Sequence, residues 1–291
     1  MLLGKYAQPT VLLSLRGWGG EGGVIIMQEY KMPIREQNSN KGTFGKVLNF
    51  AGSKNYIGAA YLSTLGILKS GAGYAALATE ENIIRSVSAL LPEAVFLTRK
   101  EGVNNLNNYT VLLIGCGLGQ DKNAVNLFKK VIKNAKCPLI IDADGLNILA
   151  KLNLQLPEGT IITPHPAEAA RLSGIGLNDV LSDLEGCAKK LTEKYNCVTV
   201  LKTHRTIICG KENLFINQHG NSALAKAGSG DVLAGIIAGL LAQKMPPLEA
   251  AKLGVYLHSR SGEIASEELT EYSVLATDIP KYLPKAIKEL L

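Results

Sequence analysis

The amino-acid sequence predicts an α/β fold built on a single doubly wound, mainly parallel sheet with helices on both faces. From residue 40 onward, short continuous apolar runs alternate with helical stretches, which is typical of strands covered on both faces. Polar clusters follow most of these runs, and so lie at the carboxyl ends of the predicted strands, where sheets of this kind bind ligands. Aromatic residues make up only 5% and glycine numbers 30, which argues against a β-sandwich core and fits many tight turns.

Apolar runs that are too short for helices predict the strands. They cover residues 46–53, 74–78, 111–114, 138–141, 160–163, 198–202, 206–209 and 214–216. Helix-length segments separate most of the earlier runs, which favours parallel neighbours joined by crossover helices. The last three runs follow one another closely, so they predict a mixed sheet near one edge.

Longer periodic or apolar segments predict the helices. They cover residues 58–70, 81–91, 123–135, 179–195, 229–243, 248–269 and 280–291. No Pro/Ser-rich linker interrupts the chain after residue 40, so one domain is predicted over 40–291. Residues 1–39 are expected to be a flexible N-terminal extension, because the glycine-rich stretch 17–23 is typical of a linker. We hypothesise that Met27 is the true start, with 1–26 upstream of it.

Composition excludes several classes of protein. The net charge is +6, and no dense Lys/Arg run interleaves with aromatics, so nucleic acid is not expected as a partner. No apolar run reaches the roughly 18 residues of a membrane span, so no membrane association is expected. The five cysteines form no Cys-x-x-Cys pair, which argues against a zinc site or a disulfide framework. Reduced thiols indicate a cytoplasmic protein.

The strongest motif is Lys-Ala-Gly-Ser-Gly-Asp-Val-Leu-Ala-Gly at 226–235. Gly228 and Gly230 let the backbone turn tightly and present successive N–H groups, and the following helix adds the positive end of its dipole. This arrangement suits a phosphate, or the charge that develops during phosphoryl transfer. Asp231 lies beside that anion hole. A carboxylate there is interpreted as a general base for a substrate hydroxyl, in preference to a simple helix-start residue.

This motif resembles the start of a late helix in the ribokinase-like superfamily. Further segments occur in the same order: Lys-Gly-Thr-Phe-Gly-Lys at 41–46, Ala-Gly-Ser at 51–53, Gly-Ala-Ala at 58–60, Lys-Ser-Gly-Ala-Gly at 69–73, Asp-Ala-Asp-Gly-Leu-Asn at 142–147, Thr-Pro-His-Pro-Ala-Glu at 163–168 and Gly-Asn-Ser at 220–222. The ordered set resembles the ADP/ATP-dependent NAD(P)H-hydrate dehydratases over residues 40 to 291. It is more specific than a lone Gly-rich loop.

The resemblance implies a repair reaction on the hydrated nicotinamide ring. The enzyme would use ADP or ATP with Mg²⁺ to phosphorylate the ring hydroxyl of the S epimer of NADHX or NADPHX, and phosphate would then leave to restore NADH or NADPH. Asp231 would contact the hydrate and act as base, with Gly228 and Gly230 holding the moving phosphoryl group. The residues implied to line the hydrate site are Ala59, Gly117, His165 and Asp231.

The same resemblance implies a nucleotide site. Its residues are Lys202, Thr203, His204, Arg205, Thr206 and Gly230. Family members often carry glycine where this chain has Thr203, so the detail of that contact differs here. Lys202 and Arg205 follow a strand, which favours phosphate contact over a solvated surface role.

Several interpretations stay open at this stage. Gly117 is either a turn residue or a close-approach position for a dinucleotide. Glu168 is either a helix-start carboxylate or the partner of a magnesium-bound water. Asp142 and Asp144 point to opposite sides if extended, so one is expected to reach the site and the other to cap a turn.

Two other functions compete with the dehydratase. One is a ribokinase-like kinase of a vitamin precursor or sugar, which would share the anion hole, and the other is a non-catalytic nucleotide-sensing module. The intact Asp231 argues against the sensor, and the accompanying motifs argue against the kinase. The resemblance favours ADP as donor. The choice between NADHX and NADPHX and the state of oligomerisation, including a homo-oligomer, are open.

Overall fold

The computed structural model describes the backbone of residues 10–17 and 24–29, and both backbone and side chains of residues 30–152 and 154–291. Its strands are β1 Thr10–Gly17, β2 Val24–Glu29, β3 Lys46–Phe50, β4 Tyr74–Thr79, β5 Val95–Thr98, β6 Val111–Ile114, β7 Leu139–Ile141, β8 Ile161–Ile162, β9 Val198–Leu201, β10 Ile207–Cys209 and β11 Asn213–Ile216. Its helices are α1 Ile57–Lys69, α2 Glu81–Ser88, α3 Arg99–Asn104, α4 Lys122–Asn134, α5 Asp144–Leu149, α6 Pro166–Ser173, α7 Leu177–Ser182, α8 Leu184–Tyr195, α9 Ser229–Ala242, α10 Pro247–Ser273 and α11 Ile279–Lys288.

The strands so described form one sheet in the order β2-β1-β11-β10-β9-β8-β7-β6-β3-β4-β5. Neighbouring strands are parallel from β9 through β8, β7, β6, β3 and β4 to β5. They are antiparallel from β9 through β10, β11 and β1 to β2. The prediction of a mainly parallel sheet with a mixed edge is confirmed. Strand order reverses between β3 and β6, and ligands bind at the carboxyl ends of strands beside such a switch point.

The N-terminal strands add to the mixed edge of this sheet. Strand β1 pairs with β11, Ser14 lying opposite Ile216, and β2 pairs with β1. Residues 1–9 and 18–23 of the predicted flexible extension lie outside the described residues. The domain boundary at residue 40 stays a prediction.

Two apolar layers cover the sheet. One face carries α1, α9, α10 and α11, and the other carries α4, α5, α6 and α8. On the first face α1 and α9 cross at close range, which is possible because Gly235 has no side chain. A Cβ on Gly235 would stand 2.1 Å from the Ser63 carbonyl oxygen. Gly235 therefore serves helix packing, and this crossing holds α9 in place against α1. No helix of the described residues is both long enough and apolar enough to traverse a lipid bilayer.

Some predicted elements differ from those observed. The single helix predicted over 179–195 is two helices, α7 and α8, because Asp183 leaves the helical conformation and caps Gly186 with a 2.8 Å hydrogen bond. Strand β5 and the short helices α3, α5 and α6 were not predicted. Each spans eight residues or fewer, too short for a clear periodic pattern.

Candidate active site

Asp231 lies in the first turn of α9, close to the point where strand order reverses. Gly228, the residue before this helix, has φ +91°, and a Cβ there would stand 2.5 Å from Leu62 Cδ1. Gly230 has no positive φ; a Cβ on it would lie 3.4 Å from Lys202 Nζ. Of the two glycines predicted to form the tight turn, only Gly228 has a positive φ, while phosphate approach at Gly230 stays a prediction.

The Asp231 carboxylate faces two other reactive groups. The Cys116 sulfur and carboxylate oxygens of Asp142 and Asp231 lie within 4.8 Å of one another. Burial and the neighbouring Asp142 raise the pKa of Asp231 to about 7, against the opposing influence of Cys116 and Lys202. Asp231 thus lies near the protonation midpoint at neutral pH, which suits a group that accepts and returns a proton.

Lys202 joins these carboxylates at the end of β9. Its Nζ donates to Asp142 Oδ1 at 2.6 Å and lies 4.0 Å from Glu168 Oε2. Burial alone would lower the pKa of Lys202, but Asp142 and Glu168 raise it above its ordinary value. The ammonium group therefore stays charged beside the first turn of α9, where a transferred phosphoryl group would need a cation.

His165 and Glu168 form the start of α6. The His165 N–H donates to Glu168 Oε2 at 2.8 Å, and His165 Nδ1 accepts from the Ala167 N–H at 3.2 Å, so the two residues make a reciprocal cap. Burial raises the pKa of Glu168 above its ordinary value, with Lys202 acting in the opposite direction. The helix-start interpretation of Glu168 is the one that the hydrogen bonds support.

Asp142 and Asp144 separate as expected. Asp142 is buried and reaches the site, where it also accepts from Thr163 Oγ1 at 2.7 Å. Asp144 is directed away from Asp142, but the turn it caps is the earlier loop after β6, where it accepts from the Gly119 N–H at 2.8 Å. Ala143 between them has φ +48° and ψ −117°, a conformation that non-glycine residues rarely adopt.

Gly117 and Ala59 lie against each other at the switch point. Gly117 has φ +60°, and a Cβ there would stand 2.8 Å from Ala59 Cβ and 2.5 Å from Tyr56 Cβ. The turn interpretation of Gly117 is supported, since its φ is positive and a Cβ there would clash with α1; close approach of a dinucleotide at Gly117 stays a prediction. Tyr56, whose side chain is exposed, was missed because nothing in its local sequence marks it.

A cavity of about 790 Å³ adjoins this cluster. It is lined by the predicted residues His165, Lys202, Thr203, His204, Arg205, Thr206 and Gly230, and also by Gln218, His219, Gly220, Asn221, Ser222, Leu224, Ala225, Lys226, Ser229, Leu233, Val255, His258 and Ser259. Ala59, Gly117 and Asp231 are not among its lining residues. Thr203 Oγ1 donates to the Arg205 carbonyl at 2.7 Å and closes the turn in which glycine is common.

Sequence reasoning missed the second wall of this cavity, residues 218–226. Arg205 donates to Gln218, which connects the two walls. The Gly-Asn-Ser segment at 220–222 was one signal, since Asn221 caps a short helical turn through the Ala223 N–H at 3.2 Å. The apolar residues Leu224 and Leu233 carried no such signal, because a cavity wall and a core position look alike in sequence.

The sheet order, the glycine turn before α9 and the charged cluster at the switch point define a protein of the ribokinase-like class. A family model described as NAD(P)H-hydrate dehydratase matches residues 47–285, and the chain belongs to that family.

Known proteins agree with this assignment. The chain is 35% identical to the ADP-dependent (S)-NAD(P)H-hydrate dehydratase of Bacillus subtilis over 88% of this chain and 94% of that one. A crystal structure of the ADP/ATP-dependent dehydratase from Bacillus subtilis, co-crystallised with ATP/Mg²⁺, superposes with a TM-score of 0.81 at 33% identity, covering 90% and 95% of the two chains. The bifunctional NAD(P)H-hydrate repair enzyme of Thermofilum pendens is 33% identical over 89% of this chain, which spans about half of that enzyme's length, 53%.

Proposed function

We propose that this chain dehydrates the S epimer of NADHX and NADPHX at the expense of an adenine nucleotide. The observation that carries the proposal is the position of Asp231. Asp231 directly follows Gly230, which lines the 790 Å³ cavity together with Lys202, and its carboxylate lies within 4.8 Å of the sulfur of Cys116, the residue next to Gly117. A phosphate in the cavity and a substrate hydroxyl near Gly117 and Ala59 would meet at this carboxylate.

The residues support a two-stage reaction. Asp231 accepts the proton of the ring hydroxyl, whose oxygen forms a bond to the terminal phosphorus of the donor, while the bond from that phosphorus to the donor's bridging oxygen breaks. The ring carbon–oxygen bond then breaks, phosphate leaves with the electron pair, and loss of a proton from the adjacent carbon restores the double bond. Lys202 and the N–H groups of the first turn of α9 would stabilise the charge on the phosphoryl oxygens.

The donor is proposed to be ADP, which would give AMP and phosphate. The relative from Bacillus subtilis is named ADP-dependent, and the related crystal structure was grown with ATP/Mg²⁺. Lys202, Arg205 and Lys226 supply positive charge along the cavity, and Leu224, Leu233 and Val255 supply an apolar surface suited to an adenine ring.

Magnesium is proposed to enter with the nucleotide phosphates. The Cys116, Asp142 and Asp231 cluster does not fit it directly, because a thiol is a soft ligand and the Lys202 ammonium already lies 2.6 Å from Asp142. Glu168 is proposed to contact the ion through water; its Oε2 accepts from the His165 N–H at 2.8 Å, and its Oε1 lies 3.4 Å from His165 Nε2. The ion would neutralise charge on the phosphate oxygens. A cytoplasmic location stays a prediction; the free cysteines of the described residues agree with it.

The decisive experiment incubates the protein with hydrated NADH plus ADP or ATP and follows the absorbance of the reduced nicotinamide. Recovery of NADH that depends on nucleotide and is lost in Asp231→Asn supports the dehydratase. A phosphorylated vitamin precursor or sugar without NADH recovery would indicate the kinase. Nucleotide binding without any product would indicate the sensing module.

A further inference from the structure

Arg99 is a charged and largely buried residue. It lies at the carboxyl ends of the parallel strands, on the same side of the sheet as the site. It is the first residue of α3, directly after β5, and its side chain is 16% exposed. Its Nη2 donates to the Gly52 carbonyl at 2.7 Å and to the Leu118 carbonyl at 3.0 Å. Its Nη1 lies 3.3 Å from Glu80 Oε1. These partners follow β3, β6 and β4, so one guanidinium connects three neighbouring loops.

The position is costly for a cation. Burial lowers the pKa of Arg99, only partly offset by Glu80, and Nε is buried with no hydrogen-bond partner. A positive charge at the start of a helix also opposes the helix dipole. A buried charge with one donor unpaired lowers the stability of the fold, so stability does not explain why Arg99 lies here, and its position indicates a functional role.

The loop that Arg99 contacts carries three glycines with positive φ. Gly115, Gly117 and Gly119 have φ of +126°, +60° and +83°, and successive glycines leave a backbone with many alternatives. Arg99 fixes the Leu118 carbonyl on one side of this loop, and Asp144 fixes the Gly119 N–H on the other at 2.8 Å. Gly117 is thereby kept against α1.

We propose that Arg99 is a positioning residue for the hydrate site. By fixing the loop after β6 to the loop after β3, it keeps Gly117 in place beside Ala59, the two residues proposed to contact the substrate ring. This inference rests on the proposed function. Arg99 does not line the nucleotide cavity, so its loss should affect the dinucleotide and spare ADP.

The test compares Arg99→Met with Arg99→Lys and Glu80→Gln in the full chain. Arg99→Met should raise KM for the hydrate by roughly ten- to a hundredfold, the scale of a small misplacement of binding groups, with KM for ADP within about twofold. Arg99→Lys should restore part of the loss, because an ammonium group can still donate to a carbonyl. Glu80→Gln should resemble wild type, because both carbonyl bonds remain.

Binding of NADH, followed by its fluorescence without any turnover, separates this inference from the proposed function. Weaker NADH binding by Arg99→Met with unchanged ADP binding supports the positioning role, even in a protein that restores no hydrate. Equal NADH binding overturns it, as does a wild-type protein that binds no NADH. Parallel losses for NADH and ADP with a lowered Tm would mean a purely structural role. If Arg99→Met fails to fold, the Lys variant decides by the same criteria.

Discussion

Replacing Asp231 with Asn is expected to lower activity and to stabilise the fold at neutral pH. Asparagine keeps the shape of the side chain and removes the base, so turnover should fall by at least the roughly 10²-fold that general-base catalysis contributes. Nucleotide binding should persist, because Lys202 and the N–H groups of α9 remain. The gain in stability follows because burial and the neighbouring Asp142 make the ionised form of Asp231 unfavourable in the folded protein, and asparagine carries no charge.

The magnitude follows from the pKa of Asp231, which the fold raises from 3.8 to about 7. The folded state therefore binds this proton more tightly than the unfolded state, and wild type loses stability as pH rises from about 4 to about 7, with no further loss above. At about 1.4 kcal/mol per pH unit over roughly three units, the upper limit is about 4 kcal/mol. Asp231 is only partly buried, so the real value should be smaller.

The assay is thermal unfolding of wild type and Asp231→Asn between about pH 4 and pH 8. The Tm difference in favour of Asn should grow from acid to neutral pH and reach several degrees, since 1 kcal/mol corresponds to about 2–4 °C in a domain of this size. Glu158→Gln is the matched control, an exposed carboxylate that precedes the amino end of β8, whereas the site lies at the carboxyl ends of the parallel strands. A difference that stays flat with pH, or is largest in acid, would refute the reasoning.

Three further perturbations test the site. Gly228→Ala should lower Tm, because φ at Gly228 is +91° and a Cβ would meet Leu62 at 2.5 Å. Gly230→Ala should fold normally and lose turnover, because its Cβ would lie 3.4 Å from Lys202 Nζ. The reverse pattern would contradict the anion hole. Gly117→Ala should raise KM for the hydrate and leave KM for ADP unchanged in steady-state kinetics, and equal effects on both would argue against a hydrate site at Gly117 that is separate from the nucleotide site. ADP should be turned over faster than ATP under the same Mg²⁺, with AMP as product, because transfer needs the reacting atoms in line at about 3–3.5 Å; faster turnover with ATP would refute the ADP assignment alone.

The sequence predicted those parts of the site that depend on local patterns. The end of β9 marked Lys202 as a site residue because charged groups after parallel strands meet at one edge. Its partner could not be predicted. Lys202 reaches Asp142, which is 60 residues away in the chain, because β8 alone separates β7 from β9 in the sheet. Sequence order gives the strands, but it does not give their neighbours.

The residues that were missed share this dependence on distant contacts. Arg99 reads as an ordinary surface arginine at the start of a short helix, and only its hydrogen bonds to Gly52 and Leu118 reveal the link between loops. The Gly228 and Gly230 assignments show the same limit. Both glycines were marked by the motif, but only the folded turn shows that Gly228 has the positive φ, and only the position of Leu62 in α1 shows that a Cβ on Gly228 has no room.

The site combines features that each oppose stability, and the packing of α9 explains how they persist. Asp231 and Asp142 approach each other inside the protein, and Ala143 adopts φ +48° beside them. Such strain persists where the surrounding structure leaves no alternative. Here α9 is buried along almost its whole length, and close contact with α1 at Gly235 prevents it from shifting. A substitution that loosens that crossing would let Asp231 move away from Asp142. The pKa of Asp231 would then fall, so the charge repulsion would be relieved and catalytic activity would be lost.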